Sequence, residues 1–162
     1  SVYKIKKKKF IIIIIGAGRW KSKIMQTIKI LKIENKFIFI NQIPNESIGY
    51  FLKKTDALYL SLKKNKTFSK TIPGKLQTYM SISKPIISSI SGETDKIINE
   101  AKCGLTSKAE DINSLEVNII KFLKMDKDKR NNLSKNAKLY VNKNYNKHFI
   151  LKNLDKKIRS LI

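Results

Sequence analysis

Phe10-Ile-Ile-Ile-Ile-Ile-Gly-Ala-Gly18 is the stretch that decides the fold. A continuous β-branched run ending on glycine reads as a strand buried on both faces, the kind found inside parallel sheets. Past the glycines, Ile24, Ile28 and Leu31 recur at helical spacing, so the strand feeds a helix. The same alternation runs on. Phe37–Ile40, Ala57–Leu62 and Pro85–Ser89 read as further short strands, and Cys103-Gly104-Leu105 starts a fifth. Between them, helical stripes are carried by Ile48, Phe51 and Leu52, by Leu76, Tyr79 and Met80, and by Ile97, Ile98 and Ala101. Lys63 to Thr71 is polar and reads as a loop. From Asp111 onward the spacing is helical, ending in a stripe of Leu151, Leu154, Ile158 and Leu161.

Strands that alternate with helices imply an α/β fold, an open parallel sheet with helices on both faces. Ligands of such folds lie outside the carboxyl ends of the strands. That rule selects Gly16–Arg19, Asn41–Pro44, Lys63–Lys75 and Ser89–Glu93 as the candidate rim. No repeat or Gly/Ser linker divides the chain, so residues 1–162 read as a single domain, with 126–162 a basic helical tail.

Composition bounds the function. Of 162 residues, 35 are Lys or Arg and 12 are Asp or Glu, a formal charge of +23. That excess points first to nucleic acid or an anionic surface. All but three of the cations are lysines, however, and arginine is the residue of bidentate phosphate and base recognition. A merely solvated basic surface is the competing reading. The longest apolar run, Phe10–Ile15, is far short of the roughly 20 residues that span a bilayer. No signal-peptide pattern follows the lysines at 4 and 6–9, and the expected compartment is the cytoplasm. A chain that opens on Ser1 without Met suggests a start inside a longer protein. One cysteine, Cys103, and one histidine, His148, supply neither an internal disulfide nor a metal-ligand set, and no cofactor is implied.

Two turns carry candidate chemistry. Gly16-Ala-Gly18 after a buried strand lets phosphate oxygens approach backbone N–H groups at a helix start. The dinucleotide pattern wants a third glycine where Lys21 stands, and it wants an acidic residue at the end of the second strand, which closes on Ile40-Asn41. A tight turn, an anion-facing turn and a nicotinamide site therefore all stay open. In Thr71-Ile-Pro-Gly-Lys75, Pro at a first helical turn followed by Gly leaves N–H groups aimed out of the helix end. A threonine hydroxyl and Lys75 stand beside them, an arrangement suited to a diphosphate or to plain capping. Gly92-Glu93 at the next helix start is a weaker case of the same kind. Trp20 can cover a bound donor or pack beside its turn.

These residues resemble a family. Ile15-Gly-Ala-Gly-Arg-Trp20, Thr55–Leu62, Phe68–Met80, Ser83-Lys-Pro-Ile-Ile-Ser88, Ser91-Gly-Glu93 and Glu100–Leu105 are similar, in order and spacing, to the carboxy-terminal domain of family 4 glycosyltransferases. The likeness is greatest to the fucosamine and N-acetylfucosamine transferases of O-antigen, capsule and colanic-acid synthesis. It covers residues 10 to 125 well and the tail loosely.

The resemblance implies a retaining, metal-independent enzyme of the two-domain GT-B fold, whose Rossmann-like carboxy-terminal half binds a UDP-sugar. Its amino-terminal half would bind a polyprenyl-diphosphate-linked acceptor, with peripheral contact at the inner face of the plasma membrane. By the same likeness Gly16, Gly18 and Arg19 would face the donor, Gln42 and Ile43 would lie near the base, and Thr71, Gly74 and Lys75 would hold the diphosphate. Gly92 and Glu93 complete the expected donor site, and no catalytic residue is assigned. Thr78 and Lys70 stand where many members carry the paired glutamates that grip ribose, and Ala17 replaces an acidic residue common in the branch. The family's first strand–helix unit and acceptor domain would precede Phe10, so this chain by itself would bind nucleotide weakly and transfer nothing. Two alternatives remain at this stage. One is a non-catalytic basic module for nucleic acid or anionic membrane. The other is a GT-B epimerase, which calls for carboxylate and histidine acid–base groups.

Overall fold

Isoleucine and phenylalanine favour a pleated, half-buried backbone, and the first two strands are made of little else. In this computed structural model, which describes residues 2, 5 and 8–160 and of residues 147–149 the backbone only, they are β1 (Ile12–Ile15) and β2 (Phe37–Ile40). Lys4, Lys6 and Lys7, the His148 side chain and Leu161 lie outside the described residues.

Two compact units share the chain, Ser1–Phe51 and Leu52–Ile162. In the first, β1 and β2 pair in parallel with Ile12 opposite Phe37 and Ile15 opposite Ile40, connected through α1 (Lys21–Ile30) and a 3-10 turn over Glu34–Lys36. Alternation puts Ile12 and Ile14 on one half-buried face with Phe37 and Phe39, while Ile13 and its partner Ile38 are exposed. The expectation of a strand buried on both faces is therefore corrected. A two-stranded sheet has too little breadth for helices on both sides, and Ile11 and Ile13 stay 60% and 44% exposed. The helix α2 (Asn45–Lys53) carries the chain into the second unit.

The second unit holds three parallel strands in the order β3 (Leu58–Ser61), β4 (Ile86–Ser89) and β5 (Gly104–Ser107). Leu58 and Leu60 point to the face that receives α4 (Gly74–Ser81), α5 (Glu93–Glu100) and α7 (Lys127–Asn144). There Leu60, Leu76, Met80, Ile86, Ile98 and Ala137 form the dry centre. The opposite face carries Tyr59, Ser61 and Ser107, and α6 (Ile112–Lys124) lies against it, with Asn118 Nδ2 donating to Ser107 Oγ at 2.9 Å. Helices on both faces of a parallel sheet are the α/β arrangement expected from the strand–helix alternation. Gly104 is required by close approach, since a Cβ there would strike the Ile86 backbone of the neighbouring strand.

One loop is more ordered than its composition suggests. Within Lys63–Thr71 the chain forms the short helix α3 (Lys66–Ser69), because Asn65 Oδ1 accepts the Thr67 N–H at 2.7 Å and caps the turn. The tail is helical as expected and ends in α8 (Lys147–Arg159).

Candidate functional site

The candidate donor residues divide between the two units. In the first, parallel pairing sets the ends of β1 and β2 side by side, and the Gly16 N–H donates to the Ile40 carbonyl at 3.0 Å. Gly16 takes φ 132°, a region open chiefly to glycine, and nothing stands within 4 Å of where its Cβ would be. Lys21, in the place of a third glycine, opens α1 and donates from Nζ to Asn41 Oδ1 at 2.9 Å. That bond ties the loop after β1 to the loop after β2, the position where a dinucleotide fold would present its carboxylate. Gly18, Arg19 and Gln42 are exposed and Ile43 is half-buried on the same rim. Trp20 is 51% exposed, with the Arg19 guanidinium 6.0 Å and the Lys23 ammonium 5.2 Å from its ring.

In the second unit a set of backbone contacts builds the rim. Gly92, at φ 94° before α5, lies against the Ser69 backbone so closely that a Cβ there would overlap Ser69 C and Cα at 2.6 Å. Thr94, fully buried in the first turn of α5, donates from Oγ1 to the Thr71 carbonyl at 3.0 Å. These two contacts hold α3 and the Thr71 turn at the start of α5. The Thr71 hydroxyl is itself spent on the Thr67 carbonyl at 2.9 Å, so toward a ligand it keeps acceptor capacity only. Thr78 Oγ1 likewise donates back to the Gly74 carbonyl at 3.3 Å.

α4 starts at Gly74 behind Pro73, which is extended at φ −70° and ψ 138°, and no side chain caps the helix. Gly74 needs no special φ and nothing stands within 4 Å of where its Cβ would be. Lys75 beside it is exposed, and among the described residues no ion pair engages it or Lys70. An open helix end with free N–H groups and a lysine is an anion-directed arrangement. α1, α4 and α5 lack a side-chain cap. α3, α6 and α7 are capped by Asn65, Asp111 and Asp126. Glu93 at the α5 start is paired with Lys96 at 2.7 Å, which raises the lysine pKa through the hydrogen bond and the charge of Glu93.

The expected rim segments supply Lys63, Phe68 and Ser89 to a groove of about 480 Å³ at the carboxyl ends of β3 and β4, whose other lining residues, Tyr59, Ser61, Glu110 and Leu115 among them, the sequence reading missed. Glu110 stands at φ 68° and accepts the Lys64 N–H at 3.2 Å, which joins the loops after β3 and β5. Its only sequence signal was a polar Lys-Ala-Glu-Asp run after the fifth strand. Thr71, Gly74 and Lys75 are not among the groove's lining. Cys103 is a buried hydrophobe whose thiol is pushed up to about 12 by burial. Asp56 sits 3.9 Å from Arg130 at the surface. Among the described residues no three His, Cys, Asp or Glu side chains are grouped to hold a metal ion, and no helix is long and apolar enough to cross a membrane.

A family model described as glycosyl transferases group 1 matches residues 1–140. The chain belongs to the group 1 glycosyltransferases. No curated protein sequence matches it. Among solved structures it is similar to Anabaena HepE in complex with UDP-glucose, with a TM-score of 0.74 and 17% identity over 96% of this chain and 43% of HepE. A glycosyltransferase from Rickettsia africae gives a TM-score of 0.76 and 18% identity over 95% of this chain and 41% of that one. Sucrose-phosphate synthase from Thermosynechococcus elongatus gives 0.73 and 17%, over 92% and 38%. At these identities the likeness establishes the α/β glycosyltransferase fold. The chain spans about two fifths of the length of these structures.

Proposed function

We propose that this group 1 glycosyltransferase chain is the nucleotide-sugar-binding, carboxy-terminal half of a retaining GT-B enzyme, with a UDP-sugar as donor. The observation that carries the reading is the start of α4. It combines an uncapped helix end, open space at Gly74 and the ammonium of Lys75 beside it. A helix end of this kind stabilises the charge that accumulates on a departing diphosphate, because its N–H groups are already oriented and need no rearrangement. The UDP-glucose and UDP complexes of HepE, a protein of the same fold, support the choice of nucleotide. Gly92 and Glu93 at the α5 start are further proposed donor contacts. In the first unit, Gly16, Gly18, Arg19, Gln42 and Ile43 are the proposed donor contacts, each to be tested singly.

The motif order supports a finer reading. The chain belongs to the fucosamine-type branch, the transferred sugar is of the hexosamine type, and the acceptor is a lipid-linked precursor of a surface polysaccharide at the cytoplasmic face of the plasma membrane. Thr71 and Thr78 serve the donor as acceptors, because both hydroxyl protons are committed to backbone carbonyls. An amide NMR titration of the folded chain with UDP tests the donor site. Residues 71–78 and 16–19 should shift in a saturable way. If they stay still at millimolar UDP, the assignment fails.

A further inference from the structure

Asn41 follows β2 directly, and its side-chain oxygen accepts a hydrogen bond from Lys21 Nζ at 2.9 Å. Lys21, half-buried in the first turn of α1, therefore decides which way the amide faces. An ammonium has only protons to give, so it selects the amide oxygen and turns Nδ2 away from itself. Among the described residues no acceptor takes up that Nδ2. The place itself is fixed, because the Gly16 N–H, bonded to the Ile40 carbonyl, holds the residue before Asn41 against the loop after β1. A dinucleotide fold has a carboxylate at this position, which accepts protons from ribose hydroxyls. The Lys21–Asn41 pair has the opposite character. Its acceptor oxygen is occupied, and what it leaves open is two N–H donors, next to the exposed Gln42 and the half-buried Ile43. A ligand group that meets it must bring a lone pair.

We propose that Asn41, held in this orientation by Lys21, donates to the O4 carbonyl of a uracil base and so selects a uridine over a cytidine nucleotide. Uracil offers an acceptor at that ring position, as thymine does, whereas cytosine offers a 4-amino donor. An amide whose oxygen is already engaged cannot turn to serve the amino group without breaking its bond to Lys21. Asn41 is then the group that reads the base, and Lys21 is a positioning residue that acts through it. The inference rests on the preceding donor reading and names what in the first unit separates one donor nucleotide from another.

The test is calorimetric binding of UDP and CDP, which carry equal charge, to the full chain and to three variants. The parent should bind UDP about tenfold or more tightly than CDP, the size of one hydrogen bond made and one pairing of two donors avoided. Asn41→Asp, which offers oxygen on both sides, should bring the UDP-to-CDP preference to about one or below. Lys21→Met frees the amide to turn and should lower the preference about threefold or more. Lys21→Arg, again a pure donor, should restore it. All three variants should keep the parent's denaturation midpoint and, at saturating UDP, its amide shifts at residues 71–78, which report the diphosphate end. If the parent does not separate UDP from CDP, or Asn41→Asp leaves the preference as it was, the proposal is overturned. A preference unaltered by Lys21→Met overturns the positioning role. Either failure with the shifts at 71–78 intact leaves the donor site standing, whereas a parent that binds neither nucleotide refutes the donor reading and this one with it.

Discussion

Replacing Gly92 with alanine should cost the second unit much of its stability. Gly92 holds φ 94° and ψ −142°, a region essentially reserved for glycine, and forcing alanine into it costs about 1–3 kcal/mol. The added Cβ would also overlap the Ser69 backbone, and backbone cannot rotate out of the way. Overpacking of this sort typically adds about 1–3 kcal/mol. A central expectation is therefore roughly 4 kcal/mol, a large share of the about 5–15 kcal/mol that a domain possesses. In urea, with a slope of about 2 kcal/mol/M, the midpoint should fall by about 2 M. Gly74→Ala is the control, because its site has no positive φ and nothing within 4 Å. Alanine should raise the midpoint slightly, since it gains up to about 1 kcal/mol over glycine in a helix. The same methyl group would occupy the space proposed for the diphosphate, so UDP affinity should drop while stability does not. A Gly92→Ala midpoint within about 0.5 M of the parent, at unchanged slope, would refute the packing argument. A Gly74→Ala variant that binds UDP normally would show that the donor does not approach that helix end.

Other outcomes follow from single contacts. Lys75→Ala should weaken UDP about tenfold or more, the size of a charged hydrogen bond, and leave uridine binding unchanged; equal losses in calorimetry would remove its phosphate role. Thr94→Val should destabilise by about 1 kcal/mol, because the Thr71 carbonyl loses its buried donor, and the amides of residues 66–71 should exchange faster. Ser83, at φ 60° after α4, occupies a left-handed position that favours glycine, so Ser83→Gly should stabilise by up to about 1 kcal/mol in thermal melts. The raised thiol pKa of Cys103 keeps the native state protonated after the unfolded state has ionised. Stability from that group is complete below the ordinary value of 9.0 and is lost between there and about 12, at up to about 1.4 kcal/mol per pH unit. Cys103→Ala should flatten that part of the pH profile; an unchanged slope in denaturant titrations would exclude the thiol as its source.

The strand–helix alternation was legible from residue type because it depends on local preferences. Isoleucine runs make strands, 3.6-residue spacing makes helices, and glycine or proline marks the turns between them. Pro73-Gly74-Lys75 could be recognised as a helix start for the same reason, and each motif of the family resemblance is a run of consecutive residues between Ile15 and Leu105. The burial of β1 was not legible in that way. Whether Ile13 is covered depends on how many strands stand beside it and on which helices reach its face, and neither is a property of the run itself. Likewise Glu110 joins the groove only because β5 lies next to β4, which brings a loop some fifty residues along the chain to Lys64. The threonines are set by local back-bonding that residue type alone does not show. Thr71 and Thr78 look alike as hydroxyl donors in sequence, but each proton is taken by a carbonyl one helical turn earlier. Local chemistry thus determined the class of fold and the place of the turn proposed to face the diphosphate. Long-range packing decided which faces are covered, and that the rim is held in place by a glycine with no room for a side chain.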